Sequence, residues 1–318
     1  MKWRRLGRIF DPADFNLLDG QCGFAQSPQA LPMDDRVRVY FSTRTRDQHG
    51  LFLSQVAYVD FDIAFSRIVG HSRGPVISLG GLGSFDEHGI FPVNPVRVGS
   101  KIHAYTTGWS RRRSVPVDAA IGLAISSDGG ATFETPSVGP VLSPSPDEPF
   151  LVGDAFVARF AGEFHMWYIH GTKWLPQPEG AAPERVYKIA HAQSADGIEW
   201  RKSGHRLLED RLDADECQAL PTVVRFEDGY HMWFCFRHAT DFRANPMRGY
   251  RIGYASSDDL ATWRRDDDNA GIEPARDGWD SRMLCYPHVF HHAGMLYMLY
   301  NGNEFGRHGF GLAVLEVG

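Results

Sequence analysis

One strand-like phrase recurs five times along this chain, as RVYFST, KIHAYTTGW, EFHMWYIHG, GYHMWFCFR and MLYMLYNGN. The copies align on one position, and successive anchors lie 64, 62, 66 and 66 residues apart: Val39, His103, His165, His231 and Tyr297. A degenerate repeat that runs from end to end indicates an array of similar units rather than unrelated domains. Five units account for all 318 residues.

Each unit reads as β-structure. Large residues alternate across a pleat in Phe164–Tyr168, and a third strand rich in Ala and Gly follows in most units. Turns such as 127–133, 195–200 and 257–263 then carry an Asp that can bond the backbone two residues on, which is typical of hairpin fasteners. Four strands per unit and few helical signals predict an all-β fold, a five-bladed β-propeller, as one domain over residues 1–318.

The amino-acid composition of the chain limits the kinds of partner that it can bind. A net charge of −6 and a pI near 6.1 offer no basic field for a polyanion, so a nucleic-acid partner is disfavoured. The four cysteines show no CxxC spacing, and no apolar segment approaches the length of a membrane span. Asp11 and Pro12 interrupt the basic N-terminus before an apolar segment forms. We therefore expect a cytoplasmic protein without a membrane span, cofactor or catalytic metal.

Acidic residues precede or occupy the first strand of four units, at Asp86, Asp154, Glu216 and Asp280. Their spacing follows the repeat, and the first strands of propeller blades line the central channel, so we expect one acidic pocket. Several carboxylates between aromatic walls suit glycosidic chemistry, in which one acid protonates the leaving oxygen and another serves water or the anomeric carbon. A carbohydrate or sugar conjugate is the expected substrate.

Further residues are candidates for substrate binding because they lie near strand ends that should face the channel mouth. The aromatic and histidine candidates can stack on sugar faces or bond hydroxyls, and the basic ones can hold an anionic group. The set is Glu87, His88, Trp109, Arg185, Arg251, Asp280 and Arg282. Trp167 and Trp233 are expected in the core instead, because they recur within the strand pattern.

The pattern of one acid on each of three successive blades resembles the five-bladed clan of invertases, levansucrases and arabinanases. The segments FDEHGIFP, ERVYKIAHA, ECQALP, RGYRIGYA and NGNEFGRHGFGLA resemble bacterial predicted glycosylases of surface-polysaccharide loci. The clan resemblance implies Glu216 as general acid, Asp154 as stabiliser of the transition state, and Asp86 as base or nucleophile, with Glu87 as a rival. The chain departs from the clan in starting this set on the second blade.

Two alternatives keep the same fold. In the first, the enzyme is a glycosyltransferase or phosphorylase acting on a sugar phosphate, with Arg111–Arg113 or the basic residues before the third strands holding phosphate. In the second, the propeller binds glycans without catalysis. Turnover that depends on phosphate would favour the first, and saturable binding without product would favour the second.

Overall fold

The repeated sequence units form a ring of antiparallel sheets. The computed structural model describes residues 1–178 and 180–316, and within them the regular elements are β-strands and short 3-10 helices. Strand β1 covers Trp3–Phe10. The first two blades contain β2 (Gln26–Pro32), β3 (Val37–Arg46), β4 (Phe52–Phe61) and β5 (Ile68–His71), then β6 (Gly89–Val98), β7 (Lys101–Arg111) and β8 (Val117–Ser126).

The other three blades are separate four-stranded sheets. Their strands are β9 (Val152–Phe160), β10 (Glu163–Leu175), β11 (Glu184–Ser194) and β12 (Arg201–Lys202); β13 (Cys217–Phe226), β14 (Gly229–Arg237), β15 (Arg251–Ser257) and β16 (Arg264–Arg265); and β17 (Cys285–His292), β18 (Met295–Asn301) and β19 (Phe310–Leu315). Short 3-10 helices cover Pro12–Asp14, Pro246–Arg248, Asp267–Asn269 and Asn303–Gly306.

The ring closes around the first strands of the blades. Strands β2, β6, β9, β13 and β17 contact one another in that order, and β17 returns to β2. A single parallel bridge from Ser54 to Gly89 joins the first two blades into one continuous hydrogen-bonded sheet. The predicted five-bladed β-propeller is therefore confirmed, with the five first strands around its axis.

The last blade takes strands from both ends of the chain. β1 pairs antiparallel with β19, with Trp3 opposite Leu315, and forms the outer strand of the blade that contains β17 and β18. Arg5 of β1 donates from Nε to the Asp280 carboxylate at 3.1 Å in front of β17. Pairing the N-terminal strand β1 with β19 covers one edge of each strand and closes the ring by hydrogen bonds between the two ends of the chain.

The second strands supply the core between blades. Their large central side chains are all at most 1% exposed: Tyr40, Tyr105, Trp167, Trp233 and Tyr300. Burial of their apolar area stabilises the packing of the blades. The expected core placement of Trp167 and Trp233 is confirmed.

The predicted Asp-containing turns fasten each blade. Asp128, Asp196 and Asp259 accept backbone N–H groups two to four residues ahead, as expected. The Tyr40 hydroxyl donates to the Gly130 carbonyl oxygen at 2.7 Å, which ties the turn of the second blade to the first. The turns therefore have structural roles.

Within the described residues no helix is long and apolar enough to cross a lipid bilayer.

Candidate active site

A bulge interrupts each first strand at the same point near the axis. The ladder register shifts there in β2, β6, β9, β13 and β17. Equivalent positions at these bulges hold Ser27, Phe91, Asp154, Leu220 and Tyr286, which we call the bulge ring. All except Phe91 have left-handed φ values between 47° and 59°, which are strained for residues other than glycine. Such bulges redirect side chains and are common beside active sites.

A cavity of about 620 Å³ opens over part of the bulge ring. Phe91, Asp154 and Tyr286 of that ring line it. Its apolar walls come from loops and strand ends of several blades and include Phe24, Phe52, Trp109, Phe242 and Phe305. This volume is within the range of small-molecule sites, and its mix of aromatic walls with a few convergent polar groups is typical of ligand pockets.

Asp154 is the buried carboxyl of the cavity, at 8% exposure. Its backbone N–H donates to Thr107 Oγ1 of the neighbouring blade at 2.7 Å, and the Leu220 backbone N–H donates to its carboxyl group. Burial raises the pKa of Asp154 to about 7, although the positive charge of Arg185 and the Leu220 hydrogen bond both act to lower it. Near neutral pH the Asp154 carboxyl is therefore protonated in part of the molecules, where it can donate a proton, and ionised in the rest, where it can accept one.

Four arginines line the same cavity: Arg44, Arg185, Arg237 and Arg243. Arg237 stacks on the Phe242 ring at 3.5 Å from its centroid, and Arg243 lies over that ring at 4.2 Å. Arg243 also pairs with Glu184, whereas Arg44 donates from Nε to the neutral amide oxygen of Gln26 at 3.0 Å. We call this group the arginine wall.

Tyrosine hydroxyls complete the polar surface beside the arginine wall. The hydroxyls of Tyr187 and Tyr250 are 2.5 Å apart, and Arg237 donates to Tyr187 at 2.9 Å. Burial raises the pKa of Tyr187 to about 12, so its proton is retained at neutral pH. The cavity thus combines one titrating carboxyl, fixed positive charge and neutral hydroxyl donors.

Glu216, the predicted general acid, does not line this cavity. Its side chain is fully buried outside the cavity, where it pairs with Arg265 at 2.5 Å. Its other oxygen accepts the backbone N–H groups of Arg211 and Leu212 at 2.9 and 3.0 Å, and Gln218 donates to the oxygen that faces Arg265. With every lone-pair direction occupied and no route to substrate, Glu216 fastens the loop ahead of β13.

Asp86 also lies outside the cavity, in the loop before β6. Burial raises its pKa, while hydrogen bonds from its own backbone N–H and that of Gly80 oppose the shift. Its carboxyl therefore faces the backbone of the 80–86 loop, and the structure does not bring the predicted base or nucleophile to the walls of the cavity that Asp154 lines. Its rival Glu87 accepts the Gly83 N–H at 3.0 Å within the same loop and is likewise not a cavity residue.

The remaining substrate-binding candidates divide by position. Trp109 and Arg185 line the cavity with Asp154, and His88 stacks behind Trp109 with ring centroids 6.1 Å apart. Arg251 donates to the carbonyl oxygens of three loop residues, including Arg282, and lines neither described cavity. The structure therefore does not place His88 or Arg251 on the walls of either cavity.

Asp280, Arg111 and Arg112 also lie outside the cavity and have partners elsewhere. Asp280 bonds Arg5 and the Tyr300 hydroxyl, so it serves ring closure. Arg111 pairs with Asp47 at 2.6 Å, and Arg112 pairs with Asp118. Residues whose charge is already neutralised on the surface are poor candidates for holding phosphate.

A second cavity of about 390 Å³ adjoins the first and shares its Phe242, Arg243, Glu304 and Phe305 wall. Arg282 lines this second cavity, so it is near the candidate site without facing Asp154. Glu304 is the other carboxylate on the cavity walls among the described residues, and it is half exposed and paired with Arg307. Within residues 1–178 and 180–316, no group of three or more His, Cys, Asp or Glu side chains is arranged to hold a metal ion.

Sequence reasoning missed most of the arginine wall and the tyrosines. Tyr187 and Tyr250 occupy equivalent places at the starts of two third strands, in YKIAHA and YRIGYA. That correspondence was visible in the repeat. Arg44 and Arg237 lie near the C-terminal ends of two second strands, β3 and β14, and no such signal marks them, because their approach to the axis depends on how the strand ends curve over the ring.

The raised pKa of Asp154 predicts how the free energy of unfolding depends on pH. An aspartate titrates near 3.8 when exposed and near 7 here, so the folded chain binds an extra proton between these values and loses stability as the pH rises through them. Asn at this position stays neutral. We expect the unfolding free energy of Asp154→Asn, relative to wild type, to increase by roughly 3 kcal/mol between about pH 4 and pH 8 in urea titrations. Parallel pH curves for the two proteins would refute the raised pKa.

Comparisons with known proteins agree with this architecture. No family model matches the chain. Two Mycobacterium tuberculosis relatives, uncharacterized protein MT1551 of strain CDC 1551 / Oshkosh and uncharacterized protein Rv1502 of strain ATCC 25618 / H37Rv, are each 37% identical over 322 residues, covering 99% of this chain and 100% of the relative.

Solved structures with the same fold include carbohydrate-active proteins. A glycoside hydrolase aligns with a TM-score of 0.75 at 17% identity, over 99% of this chain and 92% of that chain. A thermostable family-43 glycoside hydrolase aligns at 0.68 and 15%, over 95% and 93%. The β-1,2-mannobiose phosphorylase from Listeria innocua, in complex with β-1,2-mannobiose, aligns at 0.68 and 13%, over 99% and 96%. The expected resemblance to propeller glycoside hydrolases is confirmed at the level of the fold.

Proposed function

We propose that this chain, which belongs to the family of the Mycobacterium tuberculosis proteins MT1551 and Rv1502, cleaves a glycosidic bond in a glycan or sugar conjugate with Asp154 as the general acid. One observation carries the proposal: a buried carboxyl with a pKa of about 7 faces an aromatic-walled cavity on the propeller axis. A carboxyl that is substantially protonated at neutral pH can donate to a leaving oxygen.

The cavity supports this role through its shape and walls. Trp109 and Phe91 offer flat apolar faces of the kind on which sugar rings stack, and the hydroxyls of Tyr187 and Tyr250 offer donors and acceptors for sugar hydroxyls. Proteins of the same fold are described as a glycoside hydrolase and a mannobiose phosphorylase. That likeness favours glycosidic chemistry, whereas the reaction itself is assigned from Asp154, because a shared fold alone does not fix a function.

The reaction divides roles between few groups. Asp154 donates its proton to the glycosidic oxygen as the bond to the anomeric carbon breaks. The positive charge of Arg185 then stabilises the aspartate that remains. The nucleophile enters from the cavity, as water or as an oxyanion.

Hydrolysis assisted by Glu304 is a second candidate. Glu304 lines the same cavity, and its pKa is lowered mainly by the hydrogen bond with His308, so it is ionised at neutral pH and can accept a proton from water. Two carboxyl groups, one protonated and one ionised, are the usual requirement for glycoside hydrolysis. Glu304→Gln would abolish turnover in this case and leave it largely intact if an oxyanion is the nucleophile.

The test is a screen for product. Purified chain is incubated with a library of oligosaccharides and glycosides, with and without inorganic phosphate, and the products are identified by mass spectrometry. We expect cleavage of at least one glycoside class by wild type and much slower cleavage of the same unactivated glycosides by Asp154→Asn under the same conditions. Saturable glycan binding with no product from any glycoside would instead favour a non-catalytic propeller.

The pH profile supplies an independent check. Because the acid form of Asp154 is required, we expect kcat/KM to be level below about pH 7 and to fall roughly tenfold per pH unit above it. The sign follows from the direction of proton transfer, since ionised Asp154 cannot donate. A rate that rises through neutral pH would assign Asp154 the role of base and overturn its role as acid.

A further inference from the structure

We propose that the arginine wall binds a phosphate-type dianion, so that the substrate or co-substrate of this enzyme carries a phosphoryl group. The proposal rests on the proposed function for its reaction, but the binding site stands on the contacts of Arg44, Arg185 and Arg237 alone. None of these three forms an ion pair with a carboxylate among the described residues.

Arg237 carries the strongest part of the argument. The residue is 3% exposed, and its guanidinium group donates to the carbonyl oxygens of His238 and Ala239 at 2.8 and 3.1 Å and to the Tyr187 hydroxyl at 2.9 Å. These partners and the Phe242 ring are neutral. A buried ion without a counter-ion costs several kcal/mol, and an anion bound in the cavity would offset that cost.

The neighbouring guanidinium groups lie around the same aromatic rings. Arg185 and Arg237 are 5.9 and 5.4 Å from the centroid of Tyr187, and Arg237 and Arg243 lie over Phe242. The pKa of Arg44 is lowered, chiefly by burial and further by the positive charge of Arg243, although Tyr286 opposes the shift. Like charges gathered at one cavity indicate a missing anion.

Phosphate fits this cluster better than a carboxylate does. A sugar carboxylate carries one charge and accepts one guanidinium fork, which would leave two of the three unpaired arginines without a partner. A phosphate dianion presents oxygens in several directions and so can accept from more than one arginine, with the Tyr250 hydroxyl as a further donor.

Two sources of phosphate are compatible with the reaction. If inorganic phosphate enters, one of its oxygens bonds to the anomeric carbon, the glycosidic carbon–oxygen bond breaks, and the leaving oxygen takes the proton of Asp154. The products are then a sugar 1-phosphate and an alcohol. If the phosphate belongs to the substrate, it remains covalently unchanged on the arginine wall. The oxygen of a water molecule then bonds to the anomeric carbon as the glycosidic bond breaks, the leaving oxygen takes the proton of Asp154, and the proton lost by the water passes to Glu304.

The experiment measures binding without turnover. Calorimetry and thermal shift are performed on the full chain with inorganic phosphate, hexose 1-phosphates, glucuronate and free hexoses, in buffers of matched ionic strength. We expect millimolar inorganic phosphate to bind and to raise Tm, and free hexoses to have no such effect. Arg44→Gln and Arg185→Gln should each weaken phosphate binding about ten- to a hundredfold, the loss expected for a charged hydrogen bond.

Matched variants keep the test interpretable. Arg237→Lys retains the buried charge but loses the fork and should also weaken binding, whereas exposed Arg159→Gln on β9 should not. Asp154→Asn should still bind phosphate, which separates failure of the general acid from failure of this site.

Turnover that requires inorganic phosphate identifies it as co-substrate, whereas turnover of a phosphorylated glycoside alone assigns the phosphate to the substrate. Absent phosphate binding, equal binding of glucuronate, or no effect of the Arg44 and Arg185 variants would overturn the proposal.

Discussion

Replacing Asp154 with asparagine is expected to lower kcat by about a hundred- to ten-thousandfold, the usual contribution of a positioned general acid. Asn preserves the size of the side chain and an acceptor for the Leu220 N–H, so the bulge of β9 should persist. It removes only the transferable proton. Steady-state rates on a glycoside found by the screen, with circular dichroism to verify folding, measure the effect.

The loss of activity in Asp154→Asn should depend on the leaving group of the glycoside. An aryl glycoside whose phenol is acidic departs with little protonation, so the loss in Asp154→Asn should shrink as the leaving-group pKa falls. Glu148→Gln is a suitable control, because Glu148 is a buried carboxyl bonded to Tyr168 and Lys202 outside the cavity. Its kcat should match that of wild type. An Asp154→Asn variant with wild-type turnover on unactivated glycosides would remove Asp154 from the mechanism.

Replacing Glu216 with alanine is expected to reduce the free energy of unfolding by about 3–5 kcal/mol, the cost of leaving one partner of a buried ion pair uncompensated. The side chain of Arg265 is 3% exposed and would keep its charge without its main partner, although Asp267 at 2.9 Å neutralises part of it. The N–H groups of Arg211 and Leu212 would also lose their acceptor. Chemical denaturation measures the loss.

Kinetics distinguish this structural role from a catalytic one. We expect kcat per folded molecule to be unchanged in Glu216→Gln, which keeps an oxygen for the loop N–H groups and should cost less stability than alanine. Asp86→Asn gives the same contrast on the second blade, since its carboxyl bonds the backbone of its own loop. Full stability with lost turnover in either variant would restore the sequence-based assignment.

The repeat predicted the architecture because it records the units that pack against one another. Alternating strands, Asp-fastened turns and five similar units left few folds compatible with the chain, and the structure has the one expected. The same repeat pointed to acids that lie a few residues away from the bulge ring in three of the blades. Asp86, Glu216 and Asp280 follow the period, but they lie in loops four to six positions before the bulge ring, whose equivalent members are Phe91, Leu220 and Tyr286.

A carboxylate in a loop and one in a bulged strand look alike in a linear sequence, yet one lies against the backbone and the other faces the cavity. The sequence alone therefore determined the propeller and the core aromatics, because local periodicity controls strands and turns, and of its three candidate catalytic acids Asp154 is the one that lines the cavity. Only the tertiary structure decided which charges meet. Arg44, Arg185 and Arg237 come from separate blades, and no local sequence pattern relates them. They line one cavity because the ring closes and the strand ends curve over it.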